Sequence, residues 1–149
     1  MISPISNMDD QALKLSRAIS SIQIEADHLF KFRDVRATIL FRLDGRALTA
    51  FYDPKTSSSI LTVIKWVKDI ISKTKEELKH GARSIKYNKQ IDQNEALPVY
   101  FYRTGNSGIL VVILHSRANT GFMEIEMSRT AKRLGIIIDR KQSIGDLEQ

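Results

Sequence analysis

The chain has 149 residues and a mass of 17.0 kDa, with 23 Lys plus Arg against 17 Asp plus Glu, a net charge of +6 and no Cys. That length fits one domain with a single real core, and 42% hydrophobic against 27% charged residues excludes wholesale disorder. A Cys-free composition excludes a disulfide scaffold, thiolate metal sites and a cysteine nucleophile, while the basic excess leaves nucleic acid, an anionic membrane, an acidic protein or plain solubility open.

Residues 1–8 read as an N-terminal tail, without the basic and apolar regions of a secretory signal. Asp9 and Asp10 open a first helix whose stripe runs through Ala12, Leu15, Ile19, Ile22, Ala26, Leu29 and Phe30, to stop near Asp34. Ile39, Phe41 and Leu43 then alternate onto one face of a strand. Asp44-Gly45 suits a two-residue hairpin turn, because both positions accept positive φ, and a second strand runs back over Arg46 to Tyr52. Pro54 ends that strand, and Ser57, Ser58 and Ser59 offer an N-cap to the next helix.

The second helix is about six turns long and stops at His80-Gly81. Ile60, Val63, Ile64, Val67, Ile70, Ile71 and Leu78 form its apolar stripe, which Trp66 widens. Three strands follow. Ala82 to Lys89 is polar and basic, which reads as an edge or interface strand. Leu97 to Arg103 alternates Val99 and Phe101 against Tyr100 and Tyr102, and Ile109 to His115 is apolar on both faces, as a central strand is. A last helix spans about Gly121 to Leu134, with Met123, Met127, Ala131 and Leu134 buried and Phe122 and Ile125 beside them. Residues 9–138 thus form one domain, and residues 139–149 read as a frayed polar tail.

Motifs that carry chemistry are missing. Neither glycine-rich phosphate-loop pattern occurs, and Gly105 and Gly108 are explained by a turn between strands. His28, His80 and His115 lack metal-site spacing, and His115, ending a buried strand, reads as a structural histidine. Glu124 and Glu126 sit two apart on a helix and point to different faces, so they make a poor acid/base pair. No cofactor, metal or catalytic residue is assigned, and the chain is not expected to be an enzyme. The longest apolar run, Ile109 to Leu114, is far below the roughly 20 residues of a membrane span. With no Gly at position 2 and no C-terminal Cys to carry a lipid, the expected address is cytoplasmic.

Two surface features stand out. Lys73, Lys75, Lys79, His80, Arg83, Lys86 and Lys89 cluster around the end of the second helix and the third strand. Only Tyr87 interrupts them as an aromatic, which disfavours nucleic acid; Lys75, Lys79, Arg83 and Lys89 read instead as a partner-facing patch or a solvated face. The apolar residues of the second helix spread wider than the ~100° that one sheet face covers. Core burial explains about half of them. The remainder marks an interface, and a third strand beside it can pair with its own copy across a two-fold axis. The expected dimer interface comprises Ile60, Val63, Ile64, Trp66, Val67, Ile70, Ile71, Ser84 and Lys86.

The order helix, hairpin, long helix, three strands, helix resembles the roadblock family of dynein-light-chain-related proteins, over about Asp10 to Ile138. VRATILFRLDGRALTAFYDP, with its Asp44-Gly45 turn, and ANTGFMEIEMSRTAKRL are the most family-like stretches, and GILVVILH suits the family's central fifth strand. The second stretch looks like the Asn-x-Gly-hydrophobic opening of the last helix in prokaryotic members. The resemblance implies a three-layer α/β/α sandwich around a five-stranded antiparallel sheet of order 2-1-5-4-3. It further implies dimers with second helices packed antiparallel and third strands joined. Members bind or regulate Ras-like small GTPases as activators or scaffolds, and others are dynein light chains. The first helix and the loop of about Gln90 to Leu97 are longer here than the family pattern. Profilins share the layering and a Thr104-Gly105-like turn, but their extra hairpin has no counterpart; longin domains begin directly with strands. The expectation is a non-catalytic homodimer that binds a small GTPase. The alternatives are a structural subunit of a membrane-associated or motor complex, or a profilin-like actin-binding protein.

Overall fold

Gly45 adopts φ 90° between β1 (Val35–Arg42) and β2 (Ala47–Tyr52), and the Asp44 carboxylate accepts from the Arg46 amide at 3.0 Å. The expected two-residue turn is corrected: Gly45 takes positive φ but Asp44 does not. The Arg42 amide donates to the Arg46 carbonyl at 2.8 Å across the three residues Leu43, Asp44 and Gly45, so one left-handed glycine suffices to close the loop. This computed structural model describes residues 17, 19–53, 58–80 and 83–148, with residues 58–59 and 141–148 as backbone only. Asp9, Asp10, Ala12, Leu15, Pro54, Ser57, Gly81 and Ala82 lie outside the described residues, as do the side chains of Ser58 and Ser59.

Helix α1, described over residues 19–30, precedes β1. Helix α2 (Ser58–Lys79) follows β2, then β3 (Ser84–Gln90), β4 (Ala96–Thr104) and β5 (Gly108–Leu114), and α3 (Thr120–Glu148) closes the chain. The sheet order is β2-β1-β5-β4-β3 with antiparallel neighbours throughout. The α-ββ-α-βββ-α sandwich is therefore as the sequence implies.

The core has two layers, one on each side of the sheet. On one side Ile22 and Leu29 of α1 and Met123, Met127 and Leu134 of α3 pack on Leu40, Tyr100, Leu110 and Val112. On the other, Ile60, Val63, Val67 and Ile71 of α2 pack on Ile39, Phe41, Phe101, Val111 and Ile113. Every residue of β5 is buried, because this middle strand is covered on both faces. Alternation along β4 sends Tyr100 and Tyr102 to the α3 side and Val99 and Phe101 to the α2 side.

Helix α3 starts where Asn119 caps it: its side-chain oxygen accepts from the Phe122 amide at 3.2 Å, while its own amide donates to Asp34 Oδ2 at 3.1 Å. The reading of residues 139–149 as a frayed tail is corrected, since α3 continues to Glu148. Ile138 is buried and the Asp139 carboxylate accepts from the Asn106 amide at 2.9 Å, so packing carries the helix past Leu134. Beyond that, extension needs no new nucleus, and Arg140, Lys141 and Gln142 are good helix formers. Phe122 and Ile125, and Ile19 of α1, are exposed rather than part of a buried stripe.

Candidate functional site

Strand β3 lies at the end of the sheet and, among the described residues, pairs with β4 alone, so its outer row of backbone groups has no strand partner there. Its residues alternate. Ser84, Lys86, Asn88 and Gln90 are exposed, whereas Ile85, Tyr87 and Lys89 are half-buried, with Ile85 and Tyr87 packed on the α2-side core. Tyr87 links that core to the surface, edge-on to Phe101 at 5.6 Å and to Trp66 of α2 at 5.5 Å. The Lys89 ammonium lies 5.3 Å from the Trp66 ring, a cation–π contact at the rim.

The opposite face of the same edge is a groove. It lies between α3 and β3–β4, has a volume of about 920 Å³, and is lined by Arg83, Lys86, Tyr100, Tyr102, Glu124 and Lys132 among others. Tyr100 and Tyr102 stack at 6.2 Å on its floor, with the Lys86 ammonium 5.4 Å from the Tyr100 ring. The Tyr100 hydroxyl donates to Glu124 Oε1 at 2.8 Å. Burial, followed by that carboxylate, pushes the Tyr100 phenol well above the ordinary tyrosine range, and burial pushes Tyr102 up to about 12. Both phenols are neutral donors at physiological pH.

No family model matches the chain, and no curated protein matches its sequence. Solved structures do match. The gliding protein MglB of Thermus thermophilus superposes with a TM-score of 0.61 at 16% identity, over 83% of this chain and 92% of that one. MglB of Myxococcus xanthus gives 0.62 at 13% identity, over 83% and 91%. A Roadblock/LC7 domain from Streptomyces avermitilis gives 0.51 at 12% identity, over 72% and 89%. Together with the sheet order, these likenesses fix the architecture. This is a roadblock fold.

Within the roadblock fold, the residues singled out from sequence separate into distinct places. Ile60, Val63, Val67 and Ile71, assigned to an interface by their helical spacing, are instead buried against this chain's own sheet. Ile64, Trp66 and Ile70 are half-buried and flank them, and Leu61 is exposed. At 100° per residue, Ile64 points about 160° away from Trp66 around α2. Trp66 and Ile70 therefore face β3, and Ile64 lies on the opposite flank with Leu61. Ser84 and Lys86 are exposed on the groove side of β3.

The basic cluster is likewise divided. Lys89 sits over Trp66 on the α2 side of the sheet, whereas Arg83 and Lys86 line the groove on the α3 side. Lys75 and Lys79 lie about 180° and about 140° from Trp66 around α2, and Lys79 pairs with Glu76 at 3.7 Å. A run of cations that is contiguous in sequence thus wraps around an edge instead of forming one patch.

His115 ends β5, where its Nδ1 lies 3.3 Å from Arg36 Nη1. Burial, reinforced by the Arg36 charge, holds its pKa below the ordinary histidine value, so the ring is neutral and accepts from the guanidinium. That is the structural role read from sequence. The groove is what sequence reasoning missed. The alternation of LPVYFYR puts both tyrosines on one face, but only the position of α3 leaves an open groove above them.

Proposed function

We propose that the chain is a non-catalytic, homodimeric roadblock module that binds and regulates a Ras-like small GTPase, as activator or scaffold, in the cytoplasm. One observation carries the reading: the edge of β3, which has no strand partner among the described residues, lies beside the flank of α2 that presents Trp66 and Ile70. Edge pairing of β3 with its copy across a two-fold axis satisfies the free backbone groups and brings the two Trp66–Ile70 flanks together. Ile64, on the far flank, takes no part in that contact. Ser84 and Lys86 border it on the groove side, and Arg83 and Lys89 supply cations at its margin.

Regulation by such a module proceeds by repositioning groups of the GTPase itself, because no arginine of this chain is picked out as a finger. Among the described residues no helix is long and apolar enough to cross a membrane. Light scattering tests the dimer. Trp66→Ala is expected to weaken it and Ile64→Ala to leave it intact, whereas a concentration-independent monomer refutes it. Capture of a GTP-loaded small GTPase in preference to its GDP-loaded form tests the function. Equal failure of both forms, with the dimer intact, favours a purely structural subunit.

A further inference from the structure

Helix α3 has an outer face as distinctive as its buried one. Met123, Met127, Leu134 and Ile138 face the core. At 100° per residue the apolar Phe122, Ile125 and Ile136 fall within one arc of about 100° on the other side, together with Arg129, Lys132, Arg133 and Arg140. The three apolar side chains are 46%, 54% and 55% exposed, and all four cations are exposed. Glu126 and Glu25 reach the margins of this face, where they pair with Arg129 at 3.5 Å and Arg133 at 3.8 Å. The face runs from Phe122 to Arg140, about 27 Å at 1.5 Å per residue. Four of the cations behind the chain's net charge of +6 are therefore on one ridge.

A face that mixes cations with exposed apolar side chains is what an anionic interface recognises: cations meet the headgroups while the apolar side chains enter the acyl boundary. The ridge is the convex outside of a helix. An acidic protein segment would need a matching groove to cover Phe122, Ile125 and Ile136, whereas a lipid surface deforms around them. We propose that the outer face of α3 docks the protein peripherally on an anionic lipid surface. The binding is weak and reversible, because no inserted chain or spanning helix backs it among the described residues.

Co-sedimentation with vesicles tests this, using phosphatidylcholine alone and phosphatidylcholine mixed with phosphatidylserine. The full chain is expected to bind the mixed vesicles at low salt, to bind the neutral ones far less, and to release as salt rises. Each Lys or Arg at such a surface changes partitioning about fivefold, so the double variant Lys132→Gln, Arg140→Gln is expected to lose about 25-fold. Ile125→Asn with Ile136→Asn is expected to weaken binding without lowering Tm, since all four positions are solvent-exposed. No binding at low salt, equal binding to both vesicles, or unchanged binding by the folded double variants overturns the proposal. Capture of soluble polyglutamate without vesicle binding overturns it too, in favour of an acidic protein partner.

Discussion

Gly135 sits in the middle of α3, where helix propensity and tertiary packing make opposite demands. Replacing a helical Gly by Ala ordinarily stabilises by about 1 kcal/mol. Here an added Cβ would lie 2.5 Å from the Gly105 amide nitrogen, 3.1 Å from the Gly105 Cα and 3.3 Å from the Thr104 carbonyl carbon. These are backbone atoms of the β4–β5 turn, which cannot swing aside as a flexible side chain does. Gly105 itself holds φ 59°, and the next amide, that of Asn106, donates to Asp139 on the following turn of α3. Relieving the clash means lifting the helix off the turn and stretching that hydrogen bond. Overpacking costs about 1–3 kcal/mol, and rigid neighbours put this site at the upper end. After the propensity gain, Gly135→Ala is expected to destabilise by about 2 kcal/mol and lower Tm by roughly 4–8 °C. Thermal and urea unfolding followed by circular dichroism measure it. Gly121→Ala on the same helix is the control: its Cβ would meet only Asn119 Oδ1, at 3.8 Å, so it is expected to leave stability unchanged or raise it by up to about 1 kcal/mol. A Gly135→Ala protein as stable as the parent or more so would refute the close-packing argument.

Three further outcomes concern polar groups in the core or at its edge. Thr38 is fully buried in β1 and its hydroxyl has no hydrogen-bond partner among the described residues, so Thr38→Val is expected to be neutral or to raise stability by up to about 1 kcal/mol in urea unfolding. His115 has its folded pKa depressed, so the unfolded chain binds the proton more readily. Its contribution to stability is full above about 6.5, the unfolded value, and is lost as pH falls below it; His115→Asn is expected to flatten that part of the urea midpoint profile. Tyr100 and Tyr102 have folded pKa values raised above the unfolded value of about 10, so stability is retained up to that pH and lost as it rises toward 12. Spectrophotometric titration is expected to show both phenols ionising late, and Tyr100→Phe to remove one late phase.

Local chemistry was legible wherever the chain contacts itself over a short span. The Asp44-Gly45 turn, the all-apolar fifth strand and the polar third strand at an edge each follow from a few neighbouring residues. The Asn119 cap of α3 is equally local, an oxygen three residues before the amide that it accepts from. The residue pattern alone, however, starts that helix near Gly121, and only the family resemblance points to the Asn. The candidate site was less legible. Helical spacing identifies the residues on a stripe but not what covers it, so it groups Ile60, Val63, Val67 and Ile71 with Trp66 although their own sheet buries them. Proximity in sequence likewise joined Lys86 and Lys89, which the strand's two-residue period sends to opposite sides.

The sequence by itself determined the elements and their order, because periodicity, turns and caps are set by interactions between residues close in the chain, while the layered architecture was legible only through the family resemblance. The tertiary structure decided which faces stay open. It placed two glycines against each other to let α3 run on past Leu134, opened a groove above two stacked tyrosines, and gathered Phe122, Ile125 and Ile136 with four cations on one ridge. Exposure is a property of what packs where, and the partners that cover each of these surfaces lie far away in the sequence.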